Sequence, residues 1–273
     1  VDKPYGINSH TNESKAGHED FVQPGLIELF ERQLKTKLHI VHRLDQTTTG
    51  VIVFAKSLEV AKKYQSHFRN RETKKTYLFV TASRSMASEY TTEKAIVRNG
   101  DELDAKTSFE RFKKSSAFEL WQAKPFTGRN HQIRIHAQDV GLSLLGDTKY
   151  DGARFPFLCL HNARLEFPDN VVIVSQPPVY FDNLSLLEDQ TIAKALLQID
   201  RRKRLFRKAM GSAECLRLVH PQRSGDREGF TLDQFGPSLV ASWTKETDAY
   251  ENAQLIEKLS QVLDSPILLK APQ

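Results

Sequence analysis

The stretch HIVHRLDQTTTGVIVFAKS, residues 39–57, sets a basic, polar segment between two apolar runs. HIV and VIVFA are rich in β-branched residues and read as buried strands. HRLDQTTTG between them carries one acid, Asp45, with Arg43 two residues before it. A loop held between two strands is a rigid place from which to present a reacting side chain. A lone loop acid is more often a turn or cap residue, so Asp45 needs support from elsewhere in the chain.

Outward from this stretch the chain reads as a mixture of helices and strands. PGLIELFERQLKTK, 24–37, reads as a helix with Pro and Gly at its start. SLEVAKKYQSHFRN follows as a helix capped by Ser57, striped by Leu58, Ala61, Tyr64 and Phe68, and ended by Asn70. KKTYLFVTA is a strand, and KTSFERFKKSSAFELWQAKPF is two strands around KKSS. TGRNHQIRIHAQDVG reads as a helix with Asn130 as N-cap and Gly141 at C′, its apolar spacing set by Ile133, His136, Ala137 and Val140. FLCLHNARLEF and NVVIVSQPP supply further strands.

Near residue 186 the texture changes. LLEDQTIAKALLQIDRRKRLFRKAM reads as one long basic amphipathic helix, with Ile192, Leu196, Ile199, Phe206 and Met210 at helical spacing. Short strands follow around a charged turn in ECLRLVHPQRSGDREGFTLDQFGPSLVASW, and a helix, NAQLIEKLSQVL, precedes SPILLK. The expected division is 1–185, a linker helix over 186–211, and a small α+β module over 212–273.

The chain has 273 residues, 39% of them hydrophobic, enough for a domain of about 200 residues and a smaller unit. No window approaches the ~20 apolar residues of a membrane span, and no secretory signal is seen. The chain begins at Val1 without Met and is expected to be a piece of a longer one. A net charge of +5 fits a polyanionic partner such as RNA and equally a soluble basic protein. Cys159 and Cys215 fit no metal or disulfide framework, so a reducing, cytoplasmic setting is expected, as are a monomer and the absence of any metal. There is neither a GxxxxGK[ST] nor a GxGxxG phosphate loop. His131 and His136, five apart, would diverge by about 140° on a helix and share no ion; one buried and one exposed histidine is the expectation.

Arg134 gives Asp45 its support. It falls in the first turn of the 131–140 helix, where the helix dipole disfavours a cation. Pointing inward it would need a carboxylate, and Asp45 is a natural one, held ionised and aligned as a nucleophile requires. Tyr77 reads either as a base-stacking platform or as an ordinary strand aromatic. Lys74, Lys75, Arg69, Arg71, Lys113 and Lys114 are either phosphate contacts or solvated charges.

Taken together, the motifs resemble the RluA-type pseudouridine synthases over roughly residues 1–183. DKPYGINSH resembles that family's opening motif, HRLDQTTTG its catalytic motif, and KKTY its tyrosine strand. PFTGRNHQIRIHAQDVGLSLLGDTKYDG and LCLHNARLEFPDN resemble its last two motifs. The resemblance implies a cofactor-free isomerisation of uridine in ribosomal or transfer RNA. It implies an α+β fold, with a mostly antiparallel sheet bent around a cleft and flanking helices. It assigns catalysis to Asp45, Tyr77 and Arg134, with Arg134 paired to Asp45. It assigns substrate contacts to Arg43, which fills the space of a flipped nucleotide, and to His42, Thr49, Arg129, His131 and Gln132. Thr49 and Asn130 depart from its usual serine and threonine, and Ser143 and Leu144 from its usual His-Pro at a position expected on the cleft rim at most. The tail, with ECLRLVHPQRSGDREGFTLDQFG, more weakly resembles the segment preceding the catalytic domain of RlmI-type rRNA cytosine methyltransferases. That implies a synthase–methyltransferase fusion whose methyl-donor domain would follow residue 273. The rival expectation is a non-catalytic RNA-binding module that targets such a domain.

Overall fold

The computed structural model describes residues 1–11, 24–82, 85–206, 215–220, 229–244 and 249–270. These fall into two compact units, Val1–Pro177 and Pro178–Gln273.

In chain order the first unit contains β1 (Asp2–Lys3), α1 (Leu26–Leu34), β2 (His39–Ile40), β3 (Thr49–Val51), β4 (Phe54–Ala55), α2 (Leu58–Arg69) and β5 (Lys74–Thr81). It continues with β6 (Glu89–Thr92), β7 (Ile96–Arg98), β8 (Asp101–Leu103), β9 (Thr107–Lys114), β10 (Glu119–Pro125), α3 (Gln132–Asp139), β11 (Leu160–Glu166) and β12 (Val172–Val174). The main sheet runs β1-β3-β11-β5-β10-β9-β6, with β12 added on β11. Its pairs are antiparallel except β3 with β11, so the fold is α+β with a mostly antiparallel sheet. Phe79, Phe109, Trp121 and Ala123 from the central strands bury against Ile133 and Ala137 of α3 and against Leu142, Leu144, Leu158 and Leu160. A second cluster joins Leu26 of α1 to Leu44 and Ile52. Tyr77 packs against both clusters, which places it where the sheet, α1 and the Asp45 loop meet.

Three local expectations are corrected. VIVFA is not one strand. After β3 the amides of Ile52 and Val53 turn to the carbonyl of Val1 (2.9 Å) and to Nε2 of His42 (3.1 Å), and Phe54–Ala55 pairs with β2 instead. Leu58 is 55% exposed, so the buried stripe of α2 begins at Ala61. Asn130 does not cap α3. The helix starts at Gln132 because the turn before it is closed by the Gln132 side chain, whose Oε1 accepts from the Arg129 amide (3.0 Å) and the Thr127 hydroxyl (2.6 Å). At the other end Gly141 does adopt φ +74, and Leu142 N–H returns to the Ala137 carbonyl at 2.7 Å, the left-handed termination that glycine favours.

The second unit contains α4 (Val179–Asp182), a 3-10 turn (Leu184–Leu187), α5 (Gln190–Phe206), strands β13 (Cys215–Val219), β14 (Phe230–Phe235) and β15 (Ser238–Trp243), α6 (Ala249–Leu263) and β16 (Ile267–Leu269). Its sheet runs β13-β14-β15-β16. The division at Pro177/Pro178 lies ahead of the expected one after residue 185, and the buried residues Tyr180, Phe181, Leu184 and Leu187 fall in the second unit. The described part of the 186–211 segment belongs to the second unit. Over its described part, α5 buries Ile192, Ala193, Leu196, Leu197 and Ile199. The basic run is partly committed as well: Arg204 Nε donates to Asp200 Oδ2 (2.7 Å), and Arg202 donates to the Leu218 carbonyl. Phe206 is exposed, while Met210, the rest of the basic run and the charged turn lie outside the described residues.

Gly50 is the position where the sheet has no tolerance. It sits at φ +107, and a Cβ there would meet the Asn162 carbonyl oxygen at 2.1 Å, where β3 runs beside β11. Gly50→Ala is expected to cost on the order of 3 kcal/mol, measured as a fall in the thermal unfolding midpoint. An unchanged midpoint would mean that this approach is loose.

Candidate active site

The Asp45 loop is built by the chain's first nine residues. Lys3 is fully buried, and its ammonium donates to the carbonyls of Pro4 (3.1 Å), Gln46 (2.8 Å) and Thr48 (2.8 Å). Burial lowers its pKa to about 7 against the opposing pull of the Asp45 carboxylate. The Ser9 hydroxyl donates to the Leu44 carbonyl at 2.8 Å and accepts from the Leu44 amide at 3.1 Å. The Gly6 amide donates to the Gln46 carbonyl at 2.9 Å, and the Thr48 amide closes the turn on the Asp45 carbonyl at 3.1 Å. The backbone on both sides of Asp45 is thereby fixed while its carboxyl, 33% exposed, stays open.

Around that carboxyl the charges are sorted into pairs. His131 Nε2 lies 3.7 Å from Asp45 Oδ2, and its Nδ1 is 2.9 Å from the Tyr150 hydroxyl. The expected pairing of Arg134 with Asp45 is corrected. Arg134 forks onto Asp147, Nε to Oδ2 and Nη2 to Oδ1, both 2.6 Å, and its guanidinium lies 4.9 Å over the Tyr150 ring. Asp147 is 1% exposed, and a two-point fork is what an enclosed carboxylate requires. Burial works against the Arg134 charge, but Asp147 first and Asp45 second raise its pKa overall. Tyr77 is raised above its ordinary value by burial and then by Asp45, so it faces that carboxylate as a neutral phenol.

Several residues expected at the substrate bond to other parts of the protein. His42 stacks on Phe68 at 4.6 Å and accepts from Val53, and burial lowers its pKa to about 3. Thr49 is buried, its hydroxyl bonded to Nδ1 of His161 at 2.8 Å. Gln132 is buried, and besides closing its turn it donates to the Lys106 carbonyl and the Thr107 hydroxyl, each at 3.0 Å. Arg129 Nε donates to the Asp104 carbonyl at 3.0 Å. Lys75 is buried and donates to the Thr127 carbonyl at 3.0 Å, with burial lowering its pKa to about 8, which removes it from the phosphate candidates. Leu144 is fully buried in the core, not on a rim. Arg43, Arg69, Arg71, Lys74, Lys113 and Lys114 are exposed. His136 is fully buried, bonded to Thr107 and the Lys94 carbonyl, while His131 is half-buried at the site.

Sequence reasoning gave no role to Lys3, Asp147 or Tyr150. GDTKY lay inside a recognised motif, and an acid so close to Arg134 in the chain was the available signal. No pattern marked Lys3 as buried. Among the described residues no group of three or more His, Cys, Asp or Glu is placed to hold a metal ion, and no helix is long and apolar enough to cross a membrane.

The family profile described as RNA pseudouridylate synthase matches residues 1–139. The chain belongs to that family. The chain is 32% identical over 148 residues to ribosomal large subunit pseudouridine synthase C of Vibrio parahaemolyticus, covering 48% of this chain and 47% of that one. It is 33% identical over 131 residues to pseudouridylate synthase RPUSD2 of Mus musculus, covering 44% and 24%. It thus spans about half or less of these curated relatives. The solved structure of human RNA pseudouridylate synthase domain containing 4 shares its fold, with a TM-score of 0.54 at 24% identity over 67% of this chain and 86% of that one.

The cradle around the loop of this pseudouridylate synthase family member can be tested directly. Lys3→Met removes a donor from three carbonyls, of which only that of Gln46 keeps a second one in the Gly6 amide, and is expected to lower stability by on the order of 3 kcal/mol and to speed hydrogen exchange at the Gly6 and Thr48 amides. Protection that survives the substitution would argue that the loop holds itself.

Proposed function

We propose that this chain isomerises uridine to pseudouridine in structured RNA, ribosomal or transfer, with Asp45 at the reacting centre. The observation that carries this reading is the unequal fate of the two site acids. Asp147 is enclosed by the Arg134 fork, whereas Asp45 stays open on a clamped loop, between the Tyr77 phenol and His131. The reaction breaks the N1–C1′ bond, turns the uracil, joins C5 to C1′ and releases the C5 proton. Atoms and electrons balance within the substrate, so no cofactor is consumed. Asp45 begins it either as a nucleophile at the ribose or as the base that starts glycal formation. Tyr77, a neutral phenol in the free protein, is suited to stack on the base and donate a hydrogen bond. The base must leave its stack to rotate, and on this reading Arg43, exposed on the same loop, enters the vacated space.

Asp45→Asn preserves shape and removes the carboxylate. It is expected to reduce pseudouridine formation at least about a thousandfold while RNA affinity changes less than about threefold. Retained turnover would remove Asp45 from the centre. RNA affinity should also fall steeply with salt, with a log–log slope of about −0.7 per phosphate contact for single-stranded segments; a flat dependence would contradict a phosphate-lined approach by Arg43, Lys74 and their neighbours.

A further inference from the structure

His131 stands in an unusual position. It precedes α3 at φ +55, a backbone conformation that non-glycine residues rarely adopt. That conformation turns the imidazole so that one nitrogen faces Asp45 and the other Tyr150. Tyr150 is itself fixed: its ring lies under the Arg134 guanidinium at 4.9 Å and edge-on to the imidazole, with centroids 5.7 Å apart at 87°, and its amide returns to the Asp147 carbonyl at 3.1 Å.

We propose that the Tyr150 hydroxyl donates a hydrogen bond to Nδ1 of His131 and so holds the imidazole in the Nε2–H tautomer, making His131 a neutral N–H donor that positions the Asp45 carboxylate. The opposite tautomer would set an imidazole lone pair against a carboxylate oxygen, 3.7 Å away, and is disfavoured. The groups facing this ring are Asp45, Tyr150, Arg134, Lys149 and Asp147. Burial is the largest influence and lowers the His131 pKa; Arg134 and Lys149 act with it, and Asp45 and Asp147 against it. The gap of 3.7 Å exceeds hydrogen-bond reach in the free protein, and contacts of this kind tighten when substrate closes the site. A neutral donor fixes Oδ2 and leaves Oδ1 for the ribose without adding a second full charge beside Arg134. Tyr150 is then a positioning residue acting through His131. The functional half of this inference rests on the synthase reading above; the tautomer does not.

The test is the ring nitrogen spectrum of histidine-labelled full chain at neutral pH, with the His131 signals assigned by their loss in His131→Gln. A protonated Nε2 and an unprotonated Nδ1 are expected, with the signature collapsing toward a mixture in Tyr150→Phe. A protonated Nδ1 in the wild type, or a spectrum indifferent to Tyr150→Phe, would overturn the proposal whether or not the chain proves to be a synthase. In single-turnover assays Tyr150→Phe should slow the reaction about tenfold, and His131→Ala about a hundredfold, with RNA affinity unchanged. His131→Gln, whose amide N–H reaches the same place, should recover most of the loss. Glutamine no better than alanine would overturn the positioning role, while a wild type that makes no pseudouridine would sink the synthase reading and leave the tautomer to be judged by the spectrum.

Discussion

The ammonium of Lys3, buried under the first strand, donates to the carbonyls of Pro4, Gln46 and Thr48. These acceptors come from two segments more than forty residues apart in the chain. A loop has no ladder to satisfy its carbonyls, and buried carbonyls without donors are costly. One cation resolves several of them at once and draws the opening segment and the Asp45 loop into a single body. Ser9 and Gly6 extend the same clamp. The acid that this account places at the centre is rigid because of its backbone, and its carboxyl needs no bond of its own to stay in place.

That separation of backbone from carboxyl explains how the charges are sorted. Two acids and one arginine occupy a small volume beside α3. The buried acid, Asp147, takes the arginine, since an enclosed carboxylate without a fork would be far more costly than a partly exposed one. Asp45 is left with a half-buried histidine at longer range and with solvent. Arg134 still contributes its field to Asp45, but as a fixed charge behind the site. Tyr150 ties both halves together, stacked under one cation and bonded to the ring that faces the open acid.

Much of this was legible in the chain. The β5 strand, the β9–β10 hairpin, α2 and the termination of α3 at Gly141 follow from periodicity and caps. β7 and β8 did not, because strands of three residues, IVR and DEL, are too short to show an alternation. VIVFA reads as one strand because its residues are uniformly apolar, and only the competing acceptors at Val1 and His42 split it. Tyr77 and Arg134 both lie within the electrostatic reach of Asp45. Spacing cannot rank two acids by burial, and burial gives Arg134 to Asp147. His42, Thr49 and Gln132 sit in the same motifs as the open residues, yet their side chains are spent on internal bonds. Motif membership marks a residue as part of the site's construction without saying on which side of the wall it stands.

The central claim is that an open acid on a clamped loop moves a uracil from N1 to C5 attachment with nothing consumed. Every such event expels the hydrogen on C5. The most direct measurement is therefore tritium release from RNA transcribed with uridine labelled at carbon five, incubated with purified protein and excess chelator but no added cofactor. The account predicts release of one tritium for each pseudouridine formed, at a limited set of sites. RNA that binds the protein yet releases no tritium from any ribosomal or transfer RNA would contradict it.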